Sequence, residues 1–203
     1  IASGAVSMRQ ALIFLAGLLV IGAIILFSLN ATAIVVGLLS MGLVVTYPLM
    51  KRVTWWPQAF LGLTFNIGTI IAGAAVTGVV SVPCLLLYLG GIFWTLGYDT
   101  IYAHQDRDDD TLIGVKSTAR LFGDNSRWFV AGFYILTVLS FLSAAIVAGA
   151  GLVCLICLML SFLHLFWQVW RWRPESGFSS LSVFRSNRDF GCFVLLCLFA
   201  LPV

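Results

Sequence analysis

The sequence predicts an all-α integral membrane protein, a single bundle of about seven spanning helices. Three observations predict it. Of 203 residues, 61% are hydrophobic and only 9% charged, and the mean hydropathy is +1.07. No soluble domain of this size needs so much apolar surface. Apolar stretches of about 20 residues follow one another, each long enough to cross a hydrocarbon core of about 30 Å. If these stretches alternate in direction, all 11 Lys and Arg fall on one side: Arg9, then Lys51 and Arg52, then Arg107, Lys116, Arg120 and Arg127, and finally Arg171, Arg173, Arg185 and Arg188. The opposite turns carry no charge. That asymmetry places the charged face in the cytoplasm, or in the matrix if the membrane is mitochondrial.

The spans follow in order. After a polar lead-in to Gln10, the first runs from Ala11 to Leu29 and the second from Ala31 to Leu49, with Asn30 at the turn. Tyr47-Pro48-Leu49-Met50-Lys51-Arg52 leaves the membrane. The third extends from Pro57 to Val80 and the fourth from Cys84 to Tyr102, separated by Ser81-Val82-Pro83. A polar connection reaches Ser126. Trp128 to Ala148 is the fifth span, Leu152 to Trp170 the sixth, and Phe190 onward the seventh. The net charge of +3 is too small to argue for a nucleic-acid partner. Cys84, Cys154, Cys157, Cys192 and Cys197 all lie in apolar stretches and read as small buried hydrophobes. Phe166, Trp167, Trp170 and Trp172 read as an aromatic belt at the head-group level.

Five of the eight acidic residues fall between Gly97 and Ser117. On one continuous helix, Asp99, Asp106 and Asp110 share a face to within about 20° at 100° per residue, while Asp108 and Asp109 point elsewhere. Stacked carboxylates repel one another, and a divalent cation with oxygen ligands relieves the repulsion. Acidic groups at a helix C-terminus also oppose the macrodipole, which asks for a compensating cation. Asp99 lies just inside the fourth span, where an ionisable side chain is a functional candidate by default.

Other candidates share the charged side. Tyr47 and Lys51 are one helical turn apart with Arg52 beside them; they read as interfacial anchors, or as ligands for a phosphorylated head group. Lys116 and Arg120, again four apart, either bind diphosphate oxygens or neutralise the acidic helix end. Asn66, between Phe65 and Ile67, bonds a neighbouring helix or faces a polar cavity. His164 reads as a core histidine, and His104 is too offset to join the carboxylate face.

The run YDTIYAHQDRDDDTLIGVKSTARLFG resembles the second aspartate-rich motif of the UbiA superfamily of intramembrane prenyltransferases, in particular its 4-hydroxybenzoate polyprenyltransferase branch. YPLMKR resembles that family's Y-x-x-x-K diphosphate motif, and FN within GLTFNIGTIIAGAA and SNRDFG before the last span also fit. The resemblance implies a UbiA-like bundle and the partners polyprenyl diphosphate, 4-hydroxybenzoate and the lipid bilayer, with no obligate protein partner. It implies Mg2+ held by Asp106 and Asp110, and diphosphate bound by Tyr47, Lys51, Arg52, Lys116 and Asn66. Asp99, Asp106 and Asp110 would be the catalytic carboxylates, with Asp99, Asp106 or released diphosphate taking the ring proton. The reaction would serve ubiquinone biosynthesis, in a bacterial inner membrane or, alternatively, a mitochondrial one.

Family members carry about nine spans and a first motif of the form N-D-x-x-D-x-x-x-D, which this chain lacks. The expectation is a single prenyltransferase domain over residues 1–203, without the N-terminal helices and half of the metal ligands, and a chain that is inactive alone. Other acceptors, aromatic or porphyrin, remain open within the superfamily. A divalent-cation transporter is the alternative from another class, although it should place ionisable residues near mid-membrane.

Overall fold

The structure is a computed structural model that describes Ile1 and residues 3–199. Among the described residues every regular element is helical, as the composition requires. Helix α1 (Met8–Phe27) starts at a capping box: Ser7 Oγ accepts from the Gln10 N–H, and Gln10 Oε1 accepts from the Ser7 N–H. Two orphan N–H groups are satisfied at once. Asn30 caps α2 (Ala31–Val53), and its amide also donates to the carbonyls of Ala74 and Ala75 at 2.7 and 3.0 Å. One side chain thus starts a helix and fastens it to the far end of the third span.

That third span is broken. It consists of α3 (Pro57–Asn66) and α4 (Gly68–Thr77), with Ile67 between them. At the break the Asn66 amide donates to the Gly62 carbonyl and to Thr95 Oγ1, both at 2.8 Å. Thr95 belongs to α5 (Val82–Ala103), the helix at the centre of the bundle. Small residues let its neighbours approach closely: Gly91 faces Asn66, Gly90 faces Phe141 and Gly97 faces Tyr134. A Cβ at any of these would collide with the facing side chain.

The short helices α6 (Arg107–Leu112) and α7 (Thr118–Phe122) follow, then α8 (Ser126–Val147), α9 (Leu152–Arg171), α10 (Gly177–Arg185) and α11 (Asn187–Phe199). The core lies where α5, α8, α9 and α11 meet, around Ile101, Tyr134, Phe141, Leu165 and Phe190. A neutral polar network crosses it. Tyr134 Oη donates to Gln168 Oε1 at 2.6 Å, the Gln168 amide donates to Asn187 Oδ1 and Ser186 Oγ, and Trp94 Nε1 donates to Asn187 Oδ1. In contrast, α1 buries no side chain, and its apolar surface faces outward all round. A helix with no polar face needs a hydrocarbon solvent.

Among the described residues six segments are long and apolar enough to cross a membrane, so this is an integral membrane protein. The expected seventh corresponds to α11, described over 13 residues; its continuation past residue 199 lies outside the described residues. Two sequence expectations are corrected here. Cys154 and Cys197 are joined in a disulfide between α9 and α11 rather than packed singly. Trp172 is not part of an aromatic belt: it is fully buried, with Nε1 donating to Ser180 Oγ at 3.0 Å, because the chain leaves the helix at Trp172 and turns it inward.

Candidate active site

The acidic stretch does not form one helix. Helix α5 stops at Ala103, and Asp106 takes the N-cap position of the separate helix α6. Asp99 therefore sits on α5, Asp106 at a break and Asp110 on α6, and the shared face expected from their spacing does not exist. The macrodipole expectation reverses as well. Asp108, Asp109 and Asp110 occupy the first turn of a new helix, where negative charge is stabilised. That charge needs no cation for the dipole's sake.

The break is well anchored. His104 caps α5 and is buried, its Nδ1 hydrogen-bonded to the Pro174 carbonyl at 3.2 Å and its ring edge-on to Trp172. Burial, with the nearby Arg107 charge, pushes its pKa down to about 4. It is a neutral structural joint at pH 7. At the other end of α6, Gly114 adopts φ +75°, and the Val115 N–H returns to the Asp110 carbonyl at 3.0 Å. Only glycine takes that left-handed turn without strain, and it sends the chain back over the bundle.

The returning strand is strapped to the end of α2. The Lys116 N–H donates to the Lys51 carbonyl at 3.0 Å, and Lys116 Nζ donates to the Val53 carbonyl at 3.1 Å, over the Trp55 ring. The Thr118 N–H donates to Gln58 Oε1, and the Thr118 hydroxyl meets that of Thr100 at 2.6 Å. Arg120 holds the backbone of the acidic stretch, donating to the carbonyls of Asp110 and Val115. It does so without capturing the Asp110 carboxylate.

These straps bring the two motifs together. The Lys51 charge acts on both Asp99 and Asp110, and Tyr47 lies within electrostatic reach of Asp99. Arg52 is exposed beside Lys51 at the end of α2. Burial raises the Asp110 carboxyl above its ordinary pKa, with Asp106 and Asp109 adding to the rise and Lys51 and Arg120 opposing it. Among the described residues the ion pairs are Arg107–Asp124 and Arg188–Asp189. Asp99, Asp106 and Asp110 therefore have carboxylates and no ion-pair partner there. Asn66 has both amide hydrogens committed to Gly62 and Thr95, which is the helix-bonding reading of that residue. Gln58, Thr100 and Arg120 hold the site's shape; of these, the sequence pointed only to Arg120.

Among the described residues no group of three or more His, Cys, Asp or Glu converges to hold a metal. Of the three unpaired carboxylates, Asp106 and Asp110 offer oxygen donors alone, which suit a hard cation that takes its remaining ligands elsewhere. Mg2+ behaves so, binding through one or two carboxylates plus substrate phosphates and water. The donor set fits that ion as a partial site.

The profile of the UbiA prenyltransferase family matches residues 1–195. The chain belongs to the UbiA prenyltransferase family. The mitochondrial 4-hydroxybenzoate polyprenyltransferase of Rattus norvegicus is 43% identical over 199 residues, covering 97% of this chain and 53% of that protein. The protein of that name from Arabidopsis thaliana is 43% identical over 195 residues, covering 96% and 48%, and that of Drosophila melanogaster is 51% identical over 146 residues, covering 71% and 37%. The chain spans about half the length of the curated relatives it matches, or less. Among solved structures, the apo form of a UbiA homolog from Aeropyrum pernix K1 superposes with a TM-score of 0.79 at 22% identity, over 97% of this chain and 75% of that one. A structure titled for digeranylgeranylglyceryl phosphate synthase gives 0.74 at 19%, over 97% and 71%. The UbiA fold thus holds where sequence identity is low.

Proposed function

We propose that this chain carries the diphosphate-binding half of an enzyme that transfers a polyprenyl group to the ring carbon ortho to the hydroxyl of 4-hydroxybenzoate, in ubiquinone biosynthesis. The observation that supports the reading is that Lys51, at the end of α2, acts electrostatically on Asp99 of α5 and Asp110 of α6, two carboxylates with no ion-pair partner among the described residues. The names of the relatives support the acceptor. Their mitochondrial labels favour the mitochondrial inner membrane over a bacterial one, with the charged loops facing the matrix.

The chemistry follows from the charges. Asp106 and Asp110 would hold Mg2+, which when bound supplies positive charge against the diphosphate. Lys51, as a point charge, and Arg52, as a fork of donors, bind the diphosphate oxygens, and the Tyr47 phenol adds a hydrogen bond. As the allylic C–O bond breaks, its electron pair goes to the diphosphate oxygen, and these donors stabilise the growing negative charge. The prenyl tail lies among apolar helices, which keep water from the allylic cation. The ring carbon attacks that cation, then gives up its proton to restore aromaticity. Asp99, on the membrane-spanning helix α5, Asp106 or the departing diphosphate takes that proton. Lys116, with its ammonium on the Val53 carbonyl, acts mainly as a strap and offers its remaining donors to the diphosphate.

Membranes containing the intact native protein should convert labelled polyprenyl diphosphate and 4-hydroxybenzoate to a prenylated benzoate, and chelation of divalent cations should stop it. Folded protein that makes no such product, yet prenylates another aromatic ring, would reassign the acceptor and keep the diphosphate site.

A further inference from the structure

A second charged cleft lies apart from the acidic site. Arg127, in the first turn of α8, meets Arg171 at the end of α9 and Arg173 just beyond it; with Trp170 they line a cavity of about 320 Å3. A second cavity of about 190 Å3 shares Arg171 and Arg173 and continues against Trp167, Phe178 and serines of α10. Among the described residues no carboxylate lines either cavity. The neighbouring groove, which Arg127 also lines, differs: it contains Asp124 and Glu175, and its Arg107 is already paired with Asp124 at 3.7 Å, which leaves Arg171 and Arg173 as the cations remote from carboxylates.

The cleft is built into a helix junction. The Arg127 guanidinium donates to the Trp172 carbonyl, tying the start of α8 to the end of α9. Trp172 is bonded in turn to Ser180 of α10, and the Arg173 N–H donates to Ser179 Oγ at 3.0 Å. Arg171 and Arg173 are exposed and lie in no ion pair among the described residues. The rim is apolar, with Trp170 73% and Phe178 85% exposed. Met159, Leu163 and Phe166, also exposed, continue one face of α9 down from Trp170 into the membrane-spanning region. Forked cationic donors at the end of a span, above an open apolar stripe, match a molecule with an anionic head and hydrocarbon chains.

We propose that the cleft between α8, α9 and α10 binds the phosphodiester head group of an anionic phospholipid, whose acyl chains lie along the exposed face of α9. The competing explanation is diffuse: basic residues anywhere on this side would attract an anionic leaflet without a site. The intact protein, in nanodiscs of phosphatidylcholine with or without phosphatidylglycerol, is transferred to detergent and its retained lipid counted by native mass spectrometry. Phosphatidylglycerol should be retained in preference to phosphatidylcholine. The double variant Arg171→Gln/Arg173→Gln should lower that retention about fivefold per arginine. Arg185→Gln/Arg188→Gln, which removes equal charge from the same side but outside the cleft, should leave it unchanged. No preference in the parent protein, or equal loss in both doubles, would overturn the proposal. Inorganic diphosphate should not displace the lipid; displacement would mark a site for free phosphates and overturn the lipid assignment. None of these readouts depends on prenyl transfer.

Discussion

Two polar clusters sit in this bundle under opposite rules. In the cluster of Tyr47, Lys51, Asp99, Asp106 and Asp110 the groups are ionisable: Lys51 acts on Asp99 and Asp110, Asp106 on Asp110 and Asp99 on Tyr47, and the carboxylates have no ion-pair partner among the described residues. Where α5, α8, α9 and α11 meet, the groups are neutral and mutually satisfied, from Tyr134 through Gln168 to Asn187 and Trp94. A neutral network closed on itself rigidifies a core and has little left to bind with. Partnerless carboxylates facing a lysine are costly unless a ligand completes them. The difference separates the part that holds the fold from the part that acts.

The largest effects are expected at the carboxylates. In the intact protein Asp106→Ala and Asp110→Ala should each lower prenyl transfer by about 10³-fold, the scale of losing a preorganised electrostatic contact. Asp108→Ala, exposed in the first turn of α6, should stay within about twofold, since surface changes away from special features are small. Equal activity in the three variants would remove the metal assignment. The neutral cluster should fail differently. Gln168→Leu orphans the Tyr134 hydroxyl and one acceptor bond to Asn187, a cost of about 1–3 kcal/mol, visible as a lower melting temperature in detergent. Activity per folded molecule should stay near that of the parent; a selective loss of turnover with unchanged melting would move Gln168 into the catalytic cluster.

Smaller effects are expected at the two lysines. Lys51→Ala should raise the apparent KM for polyprenyl diphosphate about tenfold, as expected for one charge-assisted contact. An unchanged KM would return Lys51 to the role of interfacial anchor. Lys116→Met should raise that KM less than about threefold, because its ammonium is already engaged by the Val53 carbonyl and a partly exposed contact is worth little. A rise as large as that of Lys51→Ala would make Lys116 a substrate ligand first and a strap second.

Much of this was legible in the sequence. The order and rough ends of the spans follow from hydropathy, and the acidic stretch and YPLMKR are conspicuous in a chain with so few charges. Three features were not legible. The break at His104–Asp106 is invisible to a periodicity count, because spacing assumes a continuous helix while the residue that ends it is bonded to Pro174, 70 residues away. The role of Asn66 depends on Thr95, which only packing brings near. The inward turn of Trp172 depends on Ser180 in the same way.

By itself, then, the amino-acid sequence determined the solvent, the fold class and the side on which the charges collect, since these depend on composition and the free energy of transfer from water to hydrocarbon. Only the tertiary structure decided which charges meet. Lys51 and Asp110 lie on elements far apart in the chain, and the fold brings them together through backbone bonds such as that from the Lys116 N–H to the Lys51 carbonyl. A hydrogen bond of that kind depends on position in space and leaves no mark on the identities of the residues that make it.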